Sequence, residues 1–496
     1  MDLLHNHTLA SALVSICLLW VLGCLTSFCK DRKRYQKLPG PPCSLMFGHL
    51  ISVGKVAMML PRRAHPQTLV AQAIRDYELP PIFYVDSRPL SIVSLVVTDP
   101  DVARHVAEPD LPKHPAVVEF VESFIGKVNM LTTNSPLVPM FVDCCREFLR
   151  LLDEHSDADR VFRVEEEATK ITVDVIGKAI CGHDFKCLTS GSQFVSWIRA
   201  ALSWARELQL VNPFHHCNVL RPIVTKYYRF RMSRYIGKIL DDRFAAGQSV
   251  SPVARKTKTG IDLALELYVG ENSGQSGASA TAINAESRQA TIDNLGLLLF
   301  AGHDTTASTL CYCYKSLSDN PHALAVARKE LDDVFGVDVS AADQLRHNPF
   351  LVIKFDHMLA VIKEVLRLWT SASSARAGRK DFFVREPVSG ELLPTEGVNV
   401  WIHSFSMGPS KMIWSEDIDQ FKPERFLPGN VANIPADAWR PFEKGPRACI
   451  GQEFTYLEIK ALASLQAFGD SMYQVLLATA KPREGMPARV ERRRAF

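Results

Sequence analysis

Apolar residues run unbroken by charge from Thr8 to Cys29, TLASALVSICLLWVLGCLTSFC, at the start of the chain. Twenty-two residues as a helix are enough to cross a bilayer core, so the pattern predicts a membrane anchor. A cleaved signal peptide would want positive charge before the apolar run, whereas Asp2, His5 and His7 precede it. Lys30, Arg32, Lys33, Arg34 and Lys37 follow instead, and the positive-inside rule then leaves the rest of the chain in the cytoplasm. Leu38-Pro39-Gly40-Pro41-Pro42 comes next, where fixed proline φ angles and missing N–H donors forbid helix and central strand. It reads as a stiff elbow between residues 1–37, an anchor with its basic flank, and a body spanning 38–496.

In the body the periodicity is mostly helical. Ile82–Asp86 and Ser94–Pro100 predict two short strands joined by a turn, and strand character returns only around Val400–Phe405. The longest predicted helix runs from about Asn284 to Leu317, after the small polar residues of Gly270–Ala282, which suggest a surface loop. A mostly α fold with a minor β-region follows, in one body without internal repeats.

Composition narrows the function. With 496 residues, 47% of them hydrophobic, the chain can bury a large core. Its formal net charge of +3 supplies no global basic field, so no nucleic-acid partner is expected. Twelve cysteines lack both the regular spacing of a secreted disulfide framework and a paired zinc motif, which suits a reducing compartment. Cys181-Gly182-His183 with Cys187, and His215-His216-Cys217, have no matching second half at zinc-site spacing. No GxGxxG or P-loop follows a predicted strand, so neither a dinucleotide nor a nucleoside triphosphate site is supported.

Three stretches carry chemistry. In the long helix, LLFAGHDTTAST (Leu298–Thr309) puts Asp304, Thr305 and Thr306 into an apolar run. Thr305 can donate back to the Ala301 carbonyl, and Gly302 allows local bending, which would open a groove with a hydroxyl and an acid; the alternative is three polar residues facing solvent. Glu364 and Arg367 share a helical face at i and i+3, by itself a commonplace surface pair. Glu424 and Arg425 lie in the proline-bounded run FKPERFLPG, a loop that side chains must fix, ahead of RPFEKGPRACIGQEF with Cys449 in its frame of Phe442, Gly445, Arg447 and Gly451.

Taken together, FxxGxRxCxG at 442–451, AGxDTT at 301–306, ExxR at 364–367 and PERF at 423–426 resemble, in order, the motifs of the cytochrome P-450 superfamily. The apolar N-terminus and LPGPP elbow resemble its membrane-bound members, and the cysteine stretch with TAKPREGMPARV resembles filamentous-fungal ones. The resemblance implies that Cys449 is the thiolate ligand of haem b iron, a ligand that favours O–O cleavage. It further implies that Gly445 turns backbone N–H groups toward the sulfur, Gly451 admits the porphyrin, Phe442 shields the thiolate, and Arg447 and Arg376 pair with haem propionates. Glu364, Arg367 and Arg425 would form a buried network that fixes the cysteine loop. Asp304 and Thr305 match the acid–alcohol pair that delivers protons during O2 activation.

On this resemblance the chain is expected to be a monooxygenase that oxidises a small lipophilic substrate in fungal secondary metabolism. Having no flavin or nicotinamide module, it would draw NADPH-derived electrons from a separate NADPH-cytochrome P-450 reductase at the endoplasmic reticulum membrane. The alternatives are a haem-thiolate isomerase or dehydratase without external electrons, and an inactive haem-binding chain. The last is motivated by a departure: after Pro136 fungal relatives usually carry a helix with Trp and Arg toward the propionates, whereas here LVPMFVDCCREFLR follows at once, with no tryptophan between Trp20 and Trp197. The tail after Leu465 looks shortened too, and a mispredicted gene would explain both gaps. Weak haem retention is expected, unless Arg146 and Arg150 substitute.

Overall fold

The structure, a computed structural model, describes residues 32–61, 64–109, 111–115, 138–204, 218, 220–249, 259–265, 283–336, 341–414, 417–461, 474–477, 479–482 and 485–488. The expected anchor, the residues on either side of the gap at Pro136, His215–Cys217, the 270–282 loop and the shortened stretch after Leu465 lie outside them.

A four-stranded sheet opens the body. Strands β1 (Ile82–Asp86) and β2 (Val93–Val97) pair antiparallel, Ile82 opposite Val97 and Asp86 opposite Val93. The helices that follow are α1 (Val138–Asp157), α2 (Val164–Ile176), α3 (Gln193–Trp204), α4 (Arg221–Ser249), α5 (Ala285–Asp319), α6 (Pro321–Phe335) and α7 (Asp356–Leu368). The chain then returns to the sheet as β3 (Ser374–Ala377) and β4 (Asn399–Ile402), and α8 (Gln452–Ala461) follows the cysteine loop. Sheet order is β1-β2-β4-β3, with β4 parallel to β2 and antiparallel to β3.

Both predicted strands of the first hairpin form, but the second stops at Val97. Asp99 accepts the Val102 N–H and Pro100 takes the first turn of the Pro100–Ala107 helix, where its missing donor is harmless. The later strand ends at Ile402, because Phe405 belongs to a short helix, Ser404–Met407. Strands at Ser374–Ala377, Phe383–Arg385 and Leu392–Pro394 precede it, contrary to the expectation that strand returns only near Val400. Ser-Ala-Arg-Ala has little β-propensity; pairing with β4 makes it a strand.

Helix α5 forms as the pattern predicts. Asn284 caps it by accepting the Ser287 N–H at 2.8 Å, and it ends at Asp319, before Asn320 and the Pro321 that opens α6. Its C-terminal half enters the main core with α1, α2, α6, α7 and α8, through residues such as Phe148, Ile171, Leu310, Val361 and Ile459. The N-terminal half packs with α3 and α4 through Phe194, Ile236, Ile292 and Leu299. A separate core under the sheet gathers Ile82, Leu95, Val400 and Ile402. Tyr35, from the basic flank, joins that core, and Arg32 is buried with its guanidinium 3.5 Å from Asp86.

Candidate functional site

The loop bearing Cys449 is held by its own backbone. The Cys449 N–H donates to the Phe442 carbonyl at 2.8 Å, and the Ala448 N–H donates to Gly445 O at 3.0 Å. Glu443 and Gly445 both have positive φ, +58° and +77°. At 445 a side chain would also bring its Cβ within 2.6 Å of the Ala107 carbonyl, so glycine is required twice over. Behind the loop, the buried Arg440 binds Asp437 at 3.0 Å and Glu443 Oε1 through Nε at 2.7 Å. Phe442 stacks edge-on against Tyr456 of α8. The loop's outer face, Lys444 to Ile450, is exposed, Cys449 included.

Desolvation pushes the Cys449 thiol above its ordinary pKa, opposed by the Gly451 N–H. The bare sulfur is therefore a thiol at neutral pH, and binding to a metal would hold it as the thiolate. A Cβ at Gly451 would have no neighbour within 4 Å except the Cys449 sulfur, 3.8 Å away. The protein's own packing thus leaves room beside the sulfur that a side chain would occupy. An exposed cysteine ahead of a helix N-terminus, with a glycine leaving space next to it, fits the edge and face of a porphyrin. The residues fit a haem.

What keeps the loop in place is a buried brace. Arg367 meets both oxygens of Glu364 at 2.8 Å, and neither residue is more than 1% exposed. The remaining guanidinium donors go to the carbonyls of Gly408 at 2.7 Å and Ile418 at 2.8 Å. Glu364 accepts the Lys422 N–H at 3.0 Å and faces Arg425 Nε at 3.6 Å, while Arg425 also pairs with Asp417 at 2.7 Å. The residues named for this network in the sequence do meet, and the surface reading of Glu364 and Arg367 is excluded. Asp417 and Trp439, whose indole donates to the Lys363 carbonyl at 3.0 Å, were not foreseen, because nothing in their local sequence marks them.

Helix α8, three residues beyond Cys449, packs against α5. On α5 the Thr305 hydroxyl donates to Ala301 O at 2.8 Å, as its position suggests. Ala301 is exposed and Thr305 half-buried on one side of the helix, whereas Asp304 and Thr306 are buried on others. Helix α5 continues through Gly302. A Cβ at 302 would stand 2.7 Å from Ile176; the glycine permits close packing against α2, whose Thr172 hydroxyl lies 3.2 Å from the His303 carbonyl. Farther toward the N-terminus of α5, Phe194, Ile198, Met232, Ile236, Ile292 and Phe300 line a small apolar pocket.

The remaining candidates separate. Arg376, fully buried on β3, has Nη1 on Ser374 Oγ and 3.1 Å from Ala375 O, while Arg447 lies exposed in the Gly445–Arg447 turn. Arg146 pairs with Asp343, and Arg150 pairs with Glu147 and Glu154, so neither is placed as a substitute propionate partner. Cys181 and Cys187 are core residues and His183 contacts Tyr235. Among the described residues no group of three or more His, Cys, Asp or Glu side chains can hold a metal ion.

Comparison with known proteins gives one family. The family described as Cytochrome P-450 matches residues 124–468. The chain is 29% identical to the cytochrome P-450 monooxygenase acrF of Aspergillus aculeatus, over 86% of this chain and 97% of that one, and 28% identical to the monooxygenase polC of Polytolypa hystricis, over 92% and 90%. It is 27% identical to a bifunctional cytochrome P-450/NADPH reductase of Gibberella moniliformis, covering 84% of this chain and 34% of that protein. The haem domain of cytochrome P450DA superposes with a TM-score of 0.71 at 18% identity, over 92% of this chain and 97% of that structure. The braced cysteine loop, the long helix beside it and the family match together establish that the chain belongs to the cytochrome P-450 family.

Proposed function

We propose that this cytochrome P-450 monooxygenase oxidises a small lipophilic substrate in fungal secondary metabolism, with electrons from a separate NADPH-dependent reductase. The observation that carries this reading is Cys449, exposed on a loop held by the buried Arg440 and the buried Glu364–Arg367 pair. A haem held by that thiolate supplies the oxygen-activating chemistry. The chain's own parts do the rest. Gly451 donates its N–H toward the sulfur and leaves space beside it, tempering its charge. Arg447 and Arg376 supply forked donors for propionate carboxylates. The Thr305 hydroxyl, with its proton committed to Ala301 O, keeps lone pairs open to accept a hydrogen bond, which suits it to order a proton-bearing water. Asp304, the next residue on α5, is the acid proposed to feed that path.

Support for a lipophilic substrate comes from the apolar lining of the pocket along α3, α4 and α5. Support for a separate electron donor comes from the Gibberella relative, in which the stretch resembling this chain is only 34% of a protein named for both activities. We place the anchor at Thr8–Cys29, in the endoplasmic reticulum with the catalytic body in the cytoplasm. Among the described residues no helix is long and apolar enough to cross a membrane, so the anchor reading rests on sequence. The isomerase and dehydratase readings are less favoured, since the relatives named above are monooxygenases.

The experiment is NADPH-driven O2 consumption and product formation in membranes carrying the chain with a fungal reductase, beside membranes lacking the reductase. Product only with NADPH and reductase supports the reading. Turnover of an oxygenated substrate without either supports the isomerase alternative. Deleting residues 1–31 should move the protein from the membrane to the soluble fraction.

A further inference from the structure

One stripe of α5 descends from the open side of the helix into the core, one turn at a time: Ala301 is exposed, Thr305 half-buried and Thr309 buried. Each threonine bonds back to the residue one turn before it. The Thr305 hydroxyl donates to Ala301 O, and the Thr309 hydroxyl donates to Thr305 O at 2.9 Å. A carbonyl that accepts a side-chain hydroxyl besides its helical N–H weakens and bends its turn, unless something outside the helix holds it. At Thr309 something does. Its oxygen lies 3.2 Å from the Ser371 hydroxyl, and both residues are buried. Because the Thr309 proton is committed to Thr305 O, Ser371 is the donor of this bond.

Ser371 belongs to a stretch that is fixed independently of this bond. Thr370 to Ser374 joins α7 to β3, and its other hydroxyls are engaged as well. Thr370 donates to the Leu366 carbonyl at 2.7 Å, Ser373 accepts from Gln67 Nε2 of the Pro66–Asp76 helix at 2.7 Å, and Ser374 accepts from Arg376. Just ahead of the stretch, Trp369 stacks on Tyr312 of α5 with ring centroids 4.9 Å apart, and Arg367 of the buried brace stands one turn before Ser371. The series Ser371, Thr309, Thr305 ends on a carbonyl oxygen, which has no proton to pass on, so it is no proton wire. What it can do is hold.

We propose that Thr309, clamped by Ser371, is a positioning residue for the Thr305 turn: the pair fixes the Thr305 carbonyl and thereby the turn that presents the Thr305 hydroxyl. The assignment rests on the monooxygenase reading above, in which that hydroxyl orders a proton-bearing water. Both residues are buried, so they act through Thr305 and not on the reacting atoms.

The test compares full-length holoprotein with Ser371→Ala, Thr309→Ser, Thr309→Val, the Thr309→Val/Ser371→Ala double variant and, as a control, Thr291→Val. Thr291 makes the same back-bond, to Ser287 O at 2.8 Å, about four turns earlier on the same helix. Amide hydrogen exchange over residues 301–309, without NADPH, should quicken about fivefold in Ser371→Ala through loss of one buried neutral hydrogen bond. Adding Ser371→Ala to Thr309→Val should change nothing further, because its acceptor is gone. Thr309→Ser, which keeps the hydroxyl, and Thr291→Val should exchange there at the wild-type rate. In membranes with reductase and no added substrate, peroxide released per NADPH consumed should rise in Ser371→Ala and Thr309→Val, stay at the wild-type ratio in Thr309→Ser, and rise no further when Thr309→Val is added to Thr305→Ala. If Ser371→Ala does not fold, Thr309→Val beside Thr309→Ser carries both readouts. Unchanged exchange in Ser371→Ala, or the same change with and without the Thr309 hydroxyl, overturns the clamp. Faster exchange with an unchanged peroxide ratio overturns the positioning role and leaves the monooxygenase reading standing. Wild type that consumes no NADPH in the presence of reductase overturns that reading and the role with it.

Discussion

Two clusters of charge flank the cysteine loop, and they are built on opposite principles. In the brace, Glu364, Arg367, Arg425 and Asp417 satisfy one another and the nearby carbonyls, around a Glu364–Arg367 pair closed to water. Nothing further is needed to stabilise it. The two arginines proposed for the haem propionates instead stand apart in exposure, Arg376 fully buried on β3 and Arg447 exposed in the cysteine loop. The first arrangement fixes the loop; the second is the one proposed to meet the haem.

The contrast can be broken most forcefully at the brace. Glu364→Ala leaves Arg367 buried without its carboxylate, which should destabilise the protein by about 3–5 kcal/mol. Chemical denaturation and holoprotein yield will show it; an unchanged midpoint would mean that the pair is dispensable. At the α2–α5 contact, Gly302→Ala pushes a methyl against Ile176 and should destabilise by about 1–3 kcal/mol. Pairing it with Ile176→Val should recover part of the loss, and failure to do so would place the strain elsewhere. Thr305→Ala removes one hydroxyl on a half-buried face, and stability should change by less than about 1 kcal/mol. Its effect belongs to chemistry: product formed per NADPH should fall while peroxide rises. Unchanged coupling would remove Thr305 from the proton path.

Legibility in the sequence followed the same division. The β1 strand, the span of α5, and the motif residues around Cys449 could be read because local pattern sets them. That Glu364 and Arg367 are buried could not, since an i, i+3 pair looks alike on a surface and in a core. Arg425 was named through resemblance, but its partner Asp417 depends on a loop that folds back only in three dimensions. The strand at Ser374–Ala377 owes its conformation to β4, and the hydrogen bond between residues 112 and 377 joins stretches far apart in the chain. The close approach of Ile176 at Gly302 could not be read, because the helix that carries it lies more than a hundred residues earlier.

Whether Cys449 is the haem ligand is tested most directly by the absorption spectrum of the reduced, carbon monoxide-bound protein, recorded for wild type, Cys449→Ala and Cys313→Ala. Cys313 is a buried core thiol away from the loop and serves as the control. Wild type and Cys313→Ala should both show the thiolate-ligated Soret band, and Cys449→Ala should lose it. A thiolate spectrum that survives in Cys449→Ala would contradict the assignment.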